Sequence, residues 1–553
     1  MLTSVCQPSG VRGGLDRWCT LLAILLIFAV AVFHLLYLAL WCQLDLAPDE
    51  AHYWDWSRHL DWSYYSKGPL VAWLIWLSCS LFGSLAEQLP GGLMVAVRLP
   101  AVLCGALLLA SLYVLTRETL GRPQLALAVV FFGLSLPVVT AGSLLMTIDA
   151  PYTACWGWAL VFAHRAVTGR GKWAWEITGF LVGVGILAKY TMVLFLPSLV
   201  LFLLFSPSHR RLLLSGGFAR MLGIVVVCCL PIVIWNANNG WVTLWHVLRL
   251  AGLQVAGEES LHGGKGIHWL GPLAYLGGQA ALLLGYWFVL WGLAMLCWNP
   301  WRCSDSNRQF LWWMSAPMFL VFFAFSFKTG GGELNWPVTA YLSGCVLGSG
   351  WLAEQLQAST GWYRRTTLAC LGTATACGFL LTAAVHHSQL LHPLMEYLTG
   401  PPTADRPYPV RSLDPTCRLR GWRYLGRELD SLREQLRQQD GVEPVLAGTN
   451  WSLPGALGIY CSGYPTVYSL GRAQGDRYSQ YDFWPGPTHQ AEAFRGRTFV
   501  VVGQLSASTM KAFDQVEPSR QVVYFQGGRP LAGWQVTVCK GFRGFQELPR
   551  ASH

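Results

Sequence analysis

Long, nearly unbroken blocks of apolar residues run through this chain, and they restrict its fold more than any other feature. Cys19 to Cys42 is one such block, and Met221 to Trp235 and Leu270 to Trp298 are others. In a hydrocarbon layer every backbone N–H and C=O must be satisfied within the chain, so blocks of this kind become helices. Composition agrees: 53% of the 553 residues are hydrophobic and 12% charged, with mean hydropathy +0.38. A soluble globular protein carries about twice that share of charge. A cytosolic enzyme, a disordered protein and a disulfide-stapled secreted domain are all excluded. The chain reads as a polytopic membrane protein.

The net charge of +10 does not point to nucleic acid, because the basic residues are not clustered. They shift in density instead. Charged residues make up about 9% of residues 1–387 and about 19% of residues 388–553, with the boundary near Pro401–Pro402. This predicts a short N-terminal segment (1–18), a membrane domain (19–400) and a water-exposed domain (401–553). Within the last, Gly421 to Gln438 has helical spacing, while Thr498–Val502 and Arg520–Phe525 read as strands, so a soluble α/β domain is expected. Thirteen of the sixteen cysteines precede residue 388, mostly inside apolar runs, where Cys behaves as a small hydrophobe. Only Cys417, Cys461 and Cys539 lie in the tail, which leaves room for one bridge at most.

Basic residues between the apolar runs alternate in density. A dense set runs from Arg17 through Arg117, Arg165, Arg210 and Arg302 to Arg364; a sparse set includes Arg58, Lys67, Arg98, Lys189 and Lys328. The positive-inside rule puts the dense set and the N-terminus in the cytoplasm. The alternation holds if the run Pro69 to Gly83 lies along the outer surface, since fifteen residues make a helix of only about 22 Å. About eleven spans then follow, near 19–42, 93–116, 124–145, 150–166, 174–188, 190–206, 219–235, 269–298, 310–327, 335–354 and 366–387. The acidic first loop, Asp149, the 236–268 loop, Glu333 and the tail all fall on the extracytoplasmic side.

Four features carry candidate chemistry. The first loop interleaves acids with aromatics: Asp49, Glu50, Tyr53, Asp55 and Asp61 with Trp54, Trp56, Trp62, Tyr64 and Tyr65. Aromatic rings stack on sugars, and an acid at a membrane surface serves as a general base; Pro48-Asp49-Glu50 is equally an ordinary helix start. Asp149, between the third and fourth expected spans, is either a substrate contact or a helix cap, and an acid at membrane depth demands a partner. Lys67, Lys189 and Lys328 each end an apolar run; one alone snorkels, whereas three together suit a lipid phosphate. The segment Lys328-Thr-Gly-Gly-Gly-Glu333-Leu-Asn335 permits close backbone approach and offers hydroxyl acceptors. In the long loop, Trp241, His246, Glu258, Glu259, His262 and His268 have no regular metal-ligand spacing, so a divalent metal there is unsupported.

Taken in order, these pieces resemble a known family. Asp49-Glu50-Ala-x-Tyr53-Trp, His59-Leu-Asp61-Trp62, Lys67-x-Pro69 and Val97-Arg98-Leu-Pro100 look like the first loop of bacterial membrane glycosyltransferases of the protein-mannosyltransferase and aminoarabinose-transferase type. The similarity continues through Asp149-Ala-Pro151, Ala188-Lys189-Tyr190, Trp235-Asn-Ala-x-x-x-Trp241 and Glu333-Leu-Asn335-Trp336-Pro337, over roughly residues 20–350. The resemblance implies the GT-C fold, an all-α membrane domain with amphipathic helices in the first outer loop. It also implies inverting transfer from a polyprenyl-phosphate sugar to an envelope acceptor (lipid A, another glycan or a protein) outside the bacterial inner membrane, with no nucleic-acid partner. Carried over by position, Asp49 is the base or orients the acceptor hydroxyl, and Asp149 orders its loop or contacts substrate. Lys67 meets the donor phosphate with help from Lys189 or Lys328, and Glu50, Tyr53, Asp61, Tyr190, Glu333 and Asn335 line the substrate site. One departure is clear. The aminoarabinose branch has a metal-holding Glu just before the first-loop lysine, and this chain has Ser66 there, so a metal cofactor is not implied at that position. The competing reading, a transporter or flippase of a lipid-linked sugar, calls for charges near span centres and half-to-half repeats.

Overall fold

The structure, a computed structural model, describes residues 9–250 and 267–545. Glu258, Glu259 and His262 lie outside them. Among the described residues, six helices are long and apolar enough to cross a membrane: Gly14–Trp41, Leu70–Glu87, Met94–Leu120, Gly216–Asn238, Ser306–Thr329 and Gly361–His386. Two bent pairs raise this to eight when each counts as one span. Apolar side chains such as Phe28, Val226 and Leu380 are 67%, 63% and 70% exposed on these helices, as lipid-facing residues are.

The finer count of eleven is not reached, and the departures have local causes. The expected 124–145 span is two helices, Pro123–Leu134 and Pro137–Leu144, set at 75°. Pro137 has no N–H to donate and holds Leu136 extended at φ −87°, ψ 117°. The expected 269–298 span is broken by 113°, where Leu284 and Gly285 turn to φ 54° and 67°. The last expected span but one begins at Ala340 rather than 335. Leu70–Glu87 has 18 residues, about 27 Å of helix. It meets the length and apolarity needed for crossing, where a fifteen-residue surface run was expected.

The chain divides into two compact units: residues 1–37, 98–235 and 264–383 in one, and 38–97, 236–263 and 384–553 in the other. In the first unit, Asp149–Val167 packs beside Ala174–Ala188. The latter presents Gly179 and Gly183, one turn apart, to the Gly216–Asn238 helix. A Cβ at Gly179 would lie 2.5 Å from the Met221 carbonyl oxygen, the close approach that small residues permit between membrane helices. Four arginines of the dense basic set hold acids of the same unit. Arg117 pairs with Asp16 at 2.6 Å, Arg165 with Glu118 at 2.6 Å, Arg220 with Glu176 at 2.6 Å and Arg308 with Glu354 at 2.5 Å.

The second unit is built on a six-stranded mixed sheet of β1 (Val445–Gly448), β2 (Val467–Ser469), β3 (Phe499–Val502), β4 (Phe513–Val516), β5 (Arg520–Gln526) and β6 (Arg529–Phe542), ordered β2-β1-β3-β6-β4 with β5 also on β6. β1 pairs parallel with β2 and β3, and β6 pairs antiparallel with its neighbours. All four residues of β3 are buried, as a continuous apolar run in a central strand requires. Trp422–Asp440 turns Leu425, Leu429, Leu432 and Leu436 inward at helical spacing. The chain just after the first long helix is tied to this tail. Asp45 accepts from the Trp422 N–H at 2.8 Å and pairs with Arg423 at 3.1 Å.

The first-loop helix Pro48–Ser57 packs on Leu453–Tyr460, and Gly455 sets their separation. A Cβ there would lie 2.4 Å from the Ala51 carbonyl oxygen. That oxygen belongs to a helix backbone and cannot rotate away. Gly455→Ala is therefore expected to destabilise this pairing by about 1–3 kcal/mol, read as lost hydrogen-exchange protection across 48–57. Gly142→Ala, whose Cβ meets nothing within 4 Å, is expected to change nothing and serves as the control.

Candidate active site

Within the first unit, three of the segments singled out in the sequence meet at one carboxylate. Asp149 opens the Asp149–Val167 helix, where an acid is favoured by the helix dipole. Its Oδ1 accepts from Lys189 Nζ at 2.6 Å and its Oδ2 from Asn335 Nδ2 at 2.6 Å. Lys189 stands at the end of Ala174–Ala188 with extended backbone, φ −145° and ψ 124°, before the 3-10 turn Tyr190–Leu194. Its side chain is only 9% exposed. The ammonium sits 5.4 Å from the Tyr152 ring centroid, and the Tyr152 hydroxyl meets that of Thr339 at 2.9 Å.

Asn335 is delivered by a turn that only glycine can make. Gly330, Gly331 and Gly332 take φ of 69°, 129° and 68° in succession, values that cost other residues steric strain. The turn then runs through Glu333, whose carbonyl accepts from the Trp336 N–H at 3.2 Å. The Glu333 and Lys328 side chains are exposed.

Within the second unit, Asp49 occupies the first turn of Pro48–Ser57 and is exposed. Glu50 is fully buried and accepts from the Ala47 N–H at 2.9 Å, the helix-start role. Tyr53 is buried against Trp56, with ring centroids 5.2 Å apart. Trp56 stacks on Tyr64 at 4.3 Å, and the Tyr64 hydroxyl donates to the Trp56 and His59 carbonyls, both at 3.1 Å. The Tyr64 N–H donates to the Lys67 carbonyl at 3.1 Å, which fixes the backbone that carries the half-buried Lys67 side chain. The Asp61 carbonyl accepts from Trp73 Nε1 at 3.0 Å. Asn236 lies in the last turn of Gly216–Asn238, its side-chain oxygen accepting from the Thr243 N–H at 3.1 Å.

The same unit supplies contacts to the first loop that the motifs did not announce. His52 is ringed by Trp56, Tyr481 and Trp451 at 4.8, 5.0 and 5.5 Å. Burial, and secondarily the Arg477 charge, push its pKa down to about 3, so it is neutral. Burial raises the Asp55 carboxyl against the opposing pull of Arg58, its partner at 3.3 Å. Arg58 also reaches the Tyr464 carbonyl at 2.9 Å, and Tyr65 donates its N–H to Gln480 Oε1 at 2.7 Å. The available signal was the aromatic run Tyr478, Tyr481, Phe483 and Trp484, dense for a soluble domain.

Comparison with known proteins follows the same lines. Residues 66–235 match the family of dolichyl-phosphate-mannose-protein mannosyltransferases. The lipid A galacturonosyltransferase RgtD of Rhizobium johnstonii is 26% identical over 305 residues, which is 55% of this chain and 60% of that protein. The chain therefore matches less than two thirds of that relative's length. Two crystal structures of ArnT from Cupriavidus metallidurans, one apo and one bound to undecaprenyl phosphate, superpose with TM-score 0.57 at 17% and 18% identity, covering 93% of this chain and 97% of theirs. The resemblance drawn from the first-loop motifs is borne out: the chain is a multi-pass membrane protein with the ArnT fold, and its residues 66–235 carry the mannosyltransferase family pattern.

Proposed function

We propose that this chain is a membrane glycosyltransferase that moves a sugar from a polyprenyl-phosphate donor to lipid A or a related envelope lipid, with inversion, on the outer side of the bacterial inner membrane. One observation carries the reading: Asp149, Lys189 and Asn335, from three separate motif segments, converge within hydrogen-bond distance in the first unit. The match to RgtD supports a lipid acceptor, and the undecaprenyl phosphate in the ArnT structure supports the donor class. Glycan and protein acceptors remain the other two classes that the family pattern allows.

The chemistry needs three things. The acceptor hydroxyl must lose a proton as it attacks the anomeric carbon, and the bond from that carbon to the phosphate oxygen must break with charge left on the phosphate. That charge must be met by a cation, since little water is present to do so at a lipid face. We assign the proton, or the orientation of the hydroxyl, to Asp49. The phosphate charge falls to Lys67. Asp149 holds Lys189 and Asn335 in place rather than abstracting a proton, because both of its oxygens are already engaged. Asp49→Asn is expected to leave the protein folded and inserted while transfer falls by about 10²–10⁴-fold. Lys67→Ala is expected to raise the KM for donor, with partial rescue by Lys67→Arg. Both are measured with purified protein and a panel of polyprenyl-phosphate sugars, read by mass spectrometry of lipid A. Near wild-type transfer by the asparagine variant removes Asp49 from the mechanism.

We further propose that the N-terminus is cytoplasmic and that residues 401–553 form an extracytoplasmic domain following the membrane domain 19–400. Support comes from the basic residues, whose dense set marks the cytoplasmic ends of helices. Single cysteines placed at exposed Glu333 and at exposed Glu492 are expected to react with an impermeant maleimide in intact spheroplasts, whereas one at exposed Arg211 is expected to need permeabilised cells. Labelling of Glu333 and Arg211 positions from the same side overturns the orientation.

A further inference from the structure

Apart from the first-loop residues, the second unit brings together a nitrogen, an oxygen and a sulfur donor. His392 opens the helix His392–Thr399, the first after the Gly361–His386 span. Asp414 precedes the 3-10 turn Pro415–Leu419, and Cys417 lies within it. One ligand atom from each of these residues lies within 4.8 Å of the other two, and all three side chains are buried. His392 Nε2 stands 2.8 Å from Asp414 Oδ2. We propose that His392, Asp414 and Cys417 bind one divalent transition-metal ion, with Zn²⁺ the best fit, as a structural site.

The donor set is the argument for the metal. Imidazole, carboxylate and thiolate are the three ligand types of protein zinc, and Ca²⁺ or Mg²⁺ would take oxygen alone. Ligand atoms about 2.0–2.3 Å from a tetrahedral ion stand roughly 3.5 Å from one another, so an entering ion would open His392 Nε2 and Asp414 Oδ2 from 2.8 Å and draw in the wider separations, none of which exceeds 4.8 Å. Two charges of the occupied site, carboxylate and thiolate, match the 2+ of the ion. No Lys or Arg forms an ion pair with Asp414 among the described residues. The nearby Arg420 spends its Nη2 on Ser388 Oγ at 3.0 Å instead. Ser388 stands beside the carboxylate: its hydroxyl meets that of Thr416 at 2.6 Å and bonds to Asp414. The Thr416 N–H donates to Asp414 Oδ1 at 2.8 Å, which fixes the carboxylate from behind as ligands are commonly held.

The site would clamp the helix that follows the last apolar span to the turn that leads into the Trp422–Asp440 helix, closing the segment between residues 392 and 417. It does not rest on the glycosyltransferase reading, and its position is unrelated to Ser66. The test uses the full-length protein in detergent, loaded with Zn²⁺ and dialysed. We expect one zinc per chain by mass spectrometry, at least a tenfold loss of it in Cys417→Ser and in His392→Ala, and full retention in Cys461→Ser, which alters a buried thiol elsewhere in the unit. Replacing zinc by Co²⁺ in the wild-type protein should add a thiolate charge-transfer band, a readout that needs no variant to fold. A wild-type chain that holds no stoichiometric zinc and shows no cobalt–thiolate band overturns the proposal. So does zinc retained in both ligand variants.

Discussion

The polar architecture of the first unit depends on the Asp149–Lys189 ion pair. An ammonium that is 9% exposed and a carboxylate that is 20% exposed are costly to leave alone, and removing either partner strands the other in a poorly solvated place. The pair therefore fixes where the Asp149–Val167 helix starts and where the Ala174–Ala188 helix stops. Asn335 takes the second carboxylate oxygen and adds the turn after Gly332 to the same knot. Three chain segments, more than 180 residues apart at the extremes, are held by two hydrogen bonds of 2.6 Å. The extended backbone at Lys189 and the left-handed glycines 330–332 are local distortions, each of which makes that knot reachable.

The second unit solves a different problem. Its first-loop helix is short and has both acidic and aromatic residues, so it could not stand alone in water or lipid. Tail residues enclose it instead: the Leu453–Tyr460 helix against one side, His52 among three rings, and Arg58 bonded to the Tyr464 carbonyl. Seven consecutive residues, Ala51 to Ser57, are buried as a result. The helix that carries Asp49 is thereby held by packing along most of its length. The tail thus belongs to the support of the first loop, a role that its sequence did not declare.

What was legible follows from the range of each interaction. The helix Trp422–Asp440 and the strands Phe499–Val502 and Arg520–Gln526 are written in local periodicity, and they appear within a residue or two of where that periodicity puts them. The break at Pro137 was equally local, yet it was missed because the hydropathy on both sides is continuous. The turn at Leu284 was harder, since a left-handed leucine has no signature. Asp149, Lys189 and Asn335 were each visible as polar residues at the ends of apolar runs. Their contact was not, because it joins positions 40 and 186 residues apart. The pairing of Asp45 with Arg423 and the burial of His52 were invisible for the same reason.

The two acids singled out from sequence now separate on physical grounds. Both stand in the first turn of a helix. The Asp149 carboxylate is taken up on both oxygens, by Lys189 and by Asn335. Asp49 is exposed in the first turn of a helix whose remaining side chains are packed. The neighbouring Glu50 is fully buried and bonded to the Ala47 N–H. Adjacent acids in one motif thus differ in setting: Glu50 closes the helix start from a buried place, and Asp49 lies at the surface.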